Sequence, residues 1–485
     1  MWKPKSLSLC LLILACAAPA QFADAYPGRA LSAVQIAQDT EILRHALERI
    51  HPGYERFAEE GELAALWVDL DRLAKSGTTD LELLVEISRV LAAVRCDHTI
   101  AELPEDLATW REEERSYLPV RLEFIGDRAF VIAADPEQPM LAPGQELLAI
   151  DSRPLPAILA DVRPLISVDG YTDHVKDLVL GFSSEYQGGA LDHFRPLLEG
   201  FQDTFELTLG TTNGERSVEV QALTYGEWQT IASGKARYRN FKDEVEFRWL
   251  EDGSAYLSVA TFVNYRDPVN PKRLFRPIFE QLEARGTERL ILDLRENGGG
   301  STEPALALLR YLMDKPFVWA RPSRIKTIDV GELRPYLSTW DESAFKIDPD
   351  AVIDRGDWYE FKDEQRREAI KPYAGRFTGE VVVLVGPGIS SGSNHLVAKL
   401  KDAERVTLVG GPTGGNPTGV TAGTILFLKL PNSGIVVRVP AVRTVLEVTG
   451  FVDGQPIEPD VLVPRTREAL FDDVDRELAA ALALE

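Results

Sequence analysis

Hydrophobic positions change their period twice along the chain, and the changes divide it into three stretches. From about residue 31 to 112 the apolar residues recur at helical spacing. Ile42, Leu43, Ala46, Leu47 and Ile50 share one helix face, and that helix stops at His51-Pro-Gly53. Thr79 and Glu82 have the spacing of a capping box ahead of a second face, Leu83, Leu84, Ile87, Leu91 and Val94. It runs out at Arg95-Cys-Asp-His98-Thr99, so His98 is expected just beyond a helix end, free to project into a cleft. From about 117 the period falls to two, with short alternating segments at 121–124 and an apolar run at 129–133 around a Gly126-Asp127 turn. A polar, lysine-bearing stretch from about 225 to 245 reads as a linker. Beyond it, apolar runs at 255–262, 289–295, 381–385 and 405–409 alternate with amphipathic segments at 271–285, 301–314 and 393–401. Continuous apolar strands between amphipathic helices predict a buried, largely parallel sheet, an α/β domain with its active site beyond the strands' carboxyl ends.

The boundaries this implies are a leader at 1–25, a helical domain at 26–115, a β module at 116–225 and an α/β domain at 240–485. The leader rests on Lys3 and Lys5, an apolar run from Leu7 to Ala18, and small-residue sites Ala18-Pro-Ala20 and Ala23-Asp-Ala25. This is the form of a secretory signal, too short to span a bilayer, and it places the protein outside the cytoplasm, periplasmic or secreted. Residues 13–16 (ILAC) faintly resemble a lipoprotein cleavage box, which would make Cys16 an acylated anchor as a secondary reading. Of three cysteines, Cys10 and Cys16 fall in the leader, so a cleaved chain keeps Cys96 and forms no internal disulfide. A formal charge of −23 disfavours nucleic acid or an anionic membrane as partner.

Two segments at strand ends have the makings of chemistry. In VVVLVGPGISSGSNHLVAKL (381–400) a serine sits where a buried strand turns into a helix. There the helix dipole and free N–H groups favour developing negative charge, and Gly392 can offer its N–H to an oxyanion. Serine is also an ordinary N-cap residue, and Ser391 taken alone reads first as a cap. The second segment, NGGGS (297–301), is a glycine loop between strand and helix that could supply another oxyanion donor. Without a following Gly-Lys-Ser/Thr it is not a phosphate loop. A serine nucleophile needs a base. Among six histidines, His45 lies on a polar helix face, His51 opens a turn, and His174 and His193 lack distinguishing context. His395 is one turn after Ser391 but tilts along the helix, whereas His98 stands at an element end. No histidine pair has ligand spacing and Cys96 stands alone, so no metal is called for, and no cofactor fingerprint appears.

Five ordered motifs resemble those of the tail-specific, or C-terminal processing, serine peptidases: LILDLRENGGG (290–300), the Ser391 segment, GPTGGNP (411–417), LPNSG (430–434) and IEPD (457–460). Residues 97–99 (DHT) also fall in family order, so the resemblance runs from about residue 30 to the end. It implies a ClpP/crotonase-like α/β catalytic core and peptide or protein substrates. One branch of the family uses a Ser–Lys dyad, but the lysine position here holds Asn416. The other, tricorn-core-like branch uses a histidine from the N-terminal part and a late acid. The resemblance therefore assigns Ser391 as nucleophile, His98 as base, Gly392 and Gly299 as oxyanion donors, and Glu447 as third member, with Asp453 and Glu458 as other candidates.

Residues 141–154 (LAPGQELLAIDSRP) resemble the central stretch of a PDZ domain, with Gln145 for the usual Asp and Ser152-Arg153 for the Gly. Such modules bind extended peptide ends by strand addition. Two other readings stand beside the peptidase. One is a non-catalytic ligand-binding member of the fold, as in the photoreceptor retinoid-binding modules. The other is a hydrolase of non-peptide esters or amides.

Overall fold

The computed structural model describes residues 26–183, 185–211, 214–231 and 239–484, and the expected leader, with Cys10 and Cys16, lies outside them. Ser32 and Gln35 form a capping box that starts the helix Ala33–Ile50, whose Ile36, Leu43, Leu47 and Ile50 are buried. Thr79 and Glu82 form the expected box ahead of the helix Asp80–Ala93. Glu62–Ser76 packs between these two helices through Leu63, Trp67 and Leu70. Arg95, with φ of 55°, ends the third helix and turns the chain toward Cys96-Asp97-His98.

An antiparallel sheet follows, in the spatial order Val120–Ile125, Arg128–Ala134, Glu146–Ile150, Thr204–Thr211 and Gly214–Gln221. Period-two patterning decides its inner face: Phe205, Leu207 and Leu209 are buried while Thr204 and Glu206 face out. The stretch read as a linker is in part a helix, Tyr225–Ile231. It forms because Trp228 is 1% exposed and packs its ring 5.9 Å from that of Tyr117. Burial of so large an aromatic outweighs the polar composition around it.

The α/β half holds a six-stranded sheet in the order Val245–Trp249, Ala255–Val259, Arg289–Asp293, Glu380–Val385, Thr407–Gly410 and Val461–Leu462. The first pair is antiparallel and all others parallel. The near-continuous apolar strands are buried on both faces, as the absence of alternation predicted. The strand expected to reach residue 262 ends at Val259, and Phe262 makes only a single bridge to Gly300.

A second sheet, of seven strands, was not legible as such. Its centre is the long pair Thr421–Lys429 and Val436–Leu446. Ala101–Glu102 from the N-terminal part pairs with the start of the second of these strands, Ala101 opposite Val437. That pairing, with the Arg438 N–H on the Ile100 carbonyl at 3.0 Å, brings the residues just before it, 97–99, against the α/β half. Among the described residues no helix is long and apolar enough to cross a membrane.

Candidate active site

The strand Glu380–Val385 ends in a tight turn that delivers Ser390 in extended conformation and then the helix Ser391–Asp402. Ser391 has φ of 48°, a left-handed backbone that a non-glycine residue holds only under constraint. The constraint is visible: Ser393 and Asn394 both donate their N–H to the Ser390 carbonyl, and the Ser393 hydroxyl donates to Ser390 and Asn297 carbonyls. The elbow so held presents the half-buried Ser391 at the start of the helix. Gly392 follows in the first turn, where N–H groups have no partner within the helix ladder.

The glycine loop packs directly against this elbow. Asn297 is fully buried, donates from its side chain to the Val259 carbonyl at 2.9 Å, and accepts the Gly299 N–H at 2.9 Å. The Gly299 N–H, expected as an oxyanion donor, is thereby committed to Asn297. What Gly299 contributes is space. With φ of 99°, a Cβ added there would fall 2.8 Å from both the Gly392 nitrogen and the Ser391 Cβ.

His98 and Asp97 arrive from the other side. The Nδ1 of His98 lies 2.5 Å from Asp97 Oδ1, and the Ser390 hydroxyl donates to Asp97 Oδ2 at 2.7 Å. One carboxylate thus touches both the histidine and the residue before Ser391. Burial by itself would lower the His98 pKa, but the Asp97 carboxylate and the Cys96 sulfur outweigh it and hold the imidazole well above 6.5. Conversely, burial would raise Asp97, and His98 and Ser390 hold it below the ordinary carboxylate value.

Glu447, expected as the third member, is engaged elsewhere: its carboxylate takes Arg321 at 3.2 Å and Arg367 at 2.8 Å. Asp453 pairs with Arg56 and accepts from Asn416 and Thr418. The acid in contact with His98 is instead its own neighbour, Asp97. Sequence reasoning passed it over because the family pattern directs attention to a late acid; the adjacency of Asp97 to His98 was the available signal. Asn416, at the dyad-lysine position, is buried and spent on structure, accepting N–H groups from Thr418 and Gly454 and donating to Gly419 and Asp453.

The remaining histidines have other work. His395 is buried with its ring edge-on to Trp319 and its pKa lowered by burial to about 4. His51 is fully buried, its Nε2 2.9 Å from the Thr99 hydroxyl and its Nδ1 accepting the Gly53 N–H. His174 Nε2 lies 3.0 Å from the Thr413 carbonyl. The side-chain atoms of Cys96, Asp97 and His98 that could ligate a metal lie within 4.8 Å of one another. In this arrangement both Asp97 oxygens are taken up by His98 and Ser390.

A strained serine elbow at the end of a parallel strand, a glycine loop against it and a histidine held by an acid meet at this site. Residues 253–463 match peptidase family S41, and the protein is a serine-type peptidase. No curated protein sequence matches it at a significant level. Among solved structures, it resembles mature CPAF at 18% identity and a TM-score of 0.62, over 90% of this chain and 94% of that one. CPAF complexed with lactacystin gives 17% identity and a TM-score of 0.58, over 90% and 95%. At such identity the likeness is one of fold.

Proposed function

We propose that the protein is an exported serine peptidase that cleaves peptide bonds through an acyl-enzyme on Ser391. The observation that carries this reading is the single carboxylate of Asp97 contacting His98 at 2.5 Å and Ser390 at 2.7 Å, which joins the histidine loop to the serine elbow. With its Nδ1–H donating to the Asp97 carboxylate, the neutral imidazole presents an unprotonated Nε2. It takes the Ser391 hydroxyl proton as Oγ attacks the scissile carbonyl carbon, and then hands that proton to the departing amine. The Gly392 N–H supports the oxyanion, worth a few kcal/mol of barrier. Water then attacks the ester carbon by the same route in reverse, releasing the carboxyl product and restoring Ser391.

Export rests on the basic, apolar and small-residue succession of residues 3–25. The sheet between Val120 and Gln221 is read as a PDZ-like module that holds an extended segment of the substrate.

A fluorophosphonate probe tests the chemistry. Wild type is expected to label, and Ser391→Ala and His98→Ala are expected to lose labelling. Equal labelling of Ser391→Ala would defeat the assignment. Peptide cleavage by protein that labels separates a peptidase from an esterase, and absence of any labelling favours a binding protein.

A further inference from the structure

Residues 167–170 run beside the loop that carries the histidine and are clasped to it at both ends. The Ser167 hydroxyl donates to the Thr99 carbonyl at 2.9 Å, and the Gly170 N–H donates to the Arg95 carbonyl at 3.0 Å. The two bonds bracket Cys96, Asp97 and His98. On its far side this strap is pinned as well: Tyr171 donates its N–H to the Gly454 carbonyl at 2.7 Å, and a Cβ on Gly170 would fall 2.5 Å from that same oxygen. Between the clasps sits Asp169, 3% exposed, whose Oδ2 accepts the Asn416 N–H at 2.9 Å.

We propose that Asp169 is a positioning residue for the Asp97–His98 pair, tying the histidine loop to the Asn416 turn and placing a carboxyl group beside the imidazole. This rests on the reading of His98 as the base. The ionisable groups facing Asp169 are Asp97, His98 and Cys96 from the histidine loop, Arg56 from the helical part and Arg443 from the long sheet pair. Burial first and the Asp97 charge second push the Asp169 carboxyl up to about 7, against the Asn416 N–H, His98 and Arg56. Asp169 therefore changes charge near neutral pH, and its charge acts on the base. Ionised, it favours the imidazolium; protonated, it releases the His98 proton more easily.

The test uses full-length Asp169→Asn, which keeps an acceptor for Asn416 and removes the charge. Two readouts apply: the acid limb of fluorophosphonate labelling of Ser391 against pH, and the His98 imidazole titration by NMR. Both are expected to move to lower pH, and Asp169→Ala, which also loses the acceptor, is expected to label about tenfold more slowly. An unchanged limb together with an unchanged His98 titration overturns the proposal. If wild type does not label but the titration still moves, the peptidase reading fails and the positioning role stands. Should the Asp169 variants not fold, by circular dichroism, Ser167→Ala opens one clasp without touching charge. Slower labelling of that variant is the expected result, and labelling at the wild-type rate overturns the proposal.

Discussion

Ser390 donates its hydroxyl to Asp97 at 2.7 Å across 293 residues of sequence, and this bond locks the serine elbow to the histidine loop. Asp97 then has two tasks, orienting the imidazole and anchoring the residue beside the nucleophile. Asp97→Asn, which disturbs both the tautomer and the charge, is expected to slow labelling about 10³–10⁴-fold. Ser390→Ala removes only the anchor and is expected to slow it about tenfold, the worth of one hydrogen bond to a charged group. Labelling rates at fixed probe concentration check both, and a wild-type rate for Asp97→Asn rejects the role.

Glu447 offers the opposite case. Its carboxylate bridges Arg321 and Arg367 at a part-exposed surface. Glu447→Gln is therefore expected to retain near wild-type labelling and to lose about 1 kcal/mol of stability or less. A large loss of rate with an unchanged melting temperature would return Glu447 to the catalytic group.

The pH dependence follows from His98. The base must be neutral to act, and Asp97 holds its pKa well above 6.5, so the acid limb of labelling is expected above pH 6.5. The same shift has a stability consequence of definite sign. The contribution of His98 is full just below pH 6.5, where Asp97 is ionised, and fades as pH rises through the folded value. The gap in melting temperature between wild type and His98→Gln should accordingly be wider at pH 6 than at pH 9. A rate that is flat or falling from pH 6 upward contradicts the assignment.

Asn416 stands where a dyad lysine would, yet restoring that lysine is expected to give no activity. Asn416→Lys removes acceptors from the Thr418 and Gly454 N–H groups in a buried site, at a cost of about 2–3 kcal/mol. In a His98→Ala background it should not recover labelling. Recovery would show that the lysine can serve as base in this site.

The serine elbow could be read from the chain because its signals are local. A buried apolar run, a Gly-Pro-Gly turn and a helical pattern fix a strand-to-helix junction within twenty residues, and Ser391 lies on it. The capping boxes at Ser32–Gln35 and Thr79–Glu82 belong to the same short-range physics. Composition misled at 225–245, where one buried tryptophan decides more than the polar residues around it.

Local patterns in the chain set most of its helices and strands and the junctions that carry Ser391, Gly299 and His98. Which groups meet was settled by packing between distant segments. Ala101–Glu102 pairs with Val436–Leu446, a strand more than three hundred residues later in the chain, and that pairing carries Asp97 and His98 to Ser390. Likewise it is packing that sends Glu447 to two arginines and the Gly299 N–H to Asn297. Strand and helix signals act over a few residues of chain. The partner of a buried carboxylate is set by whichever segments the sheets bring within hydrogen-bond reach, which no local pattern records.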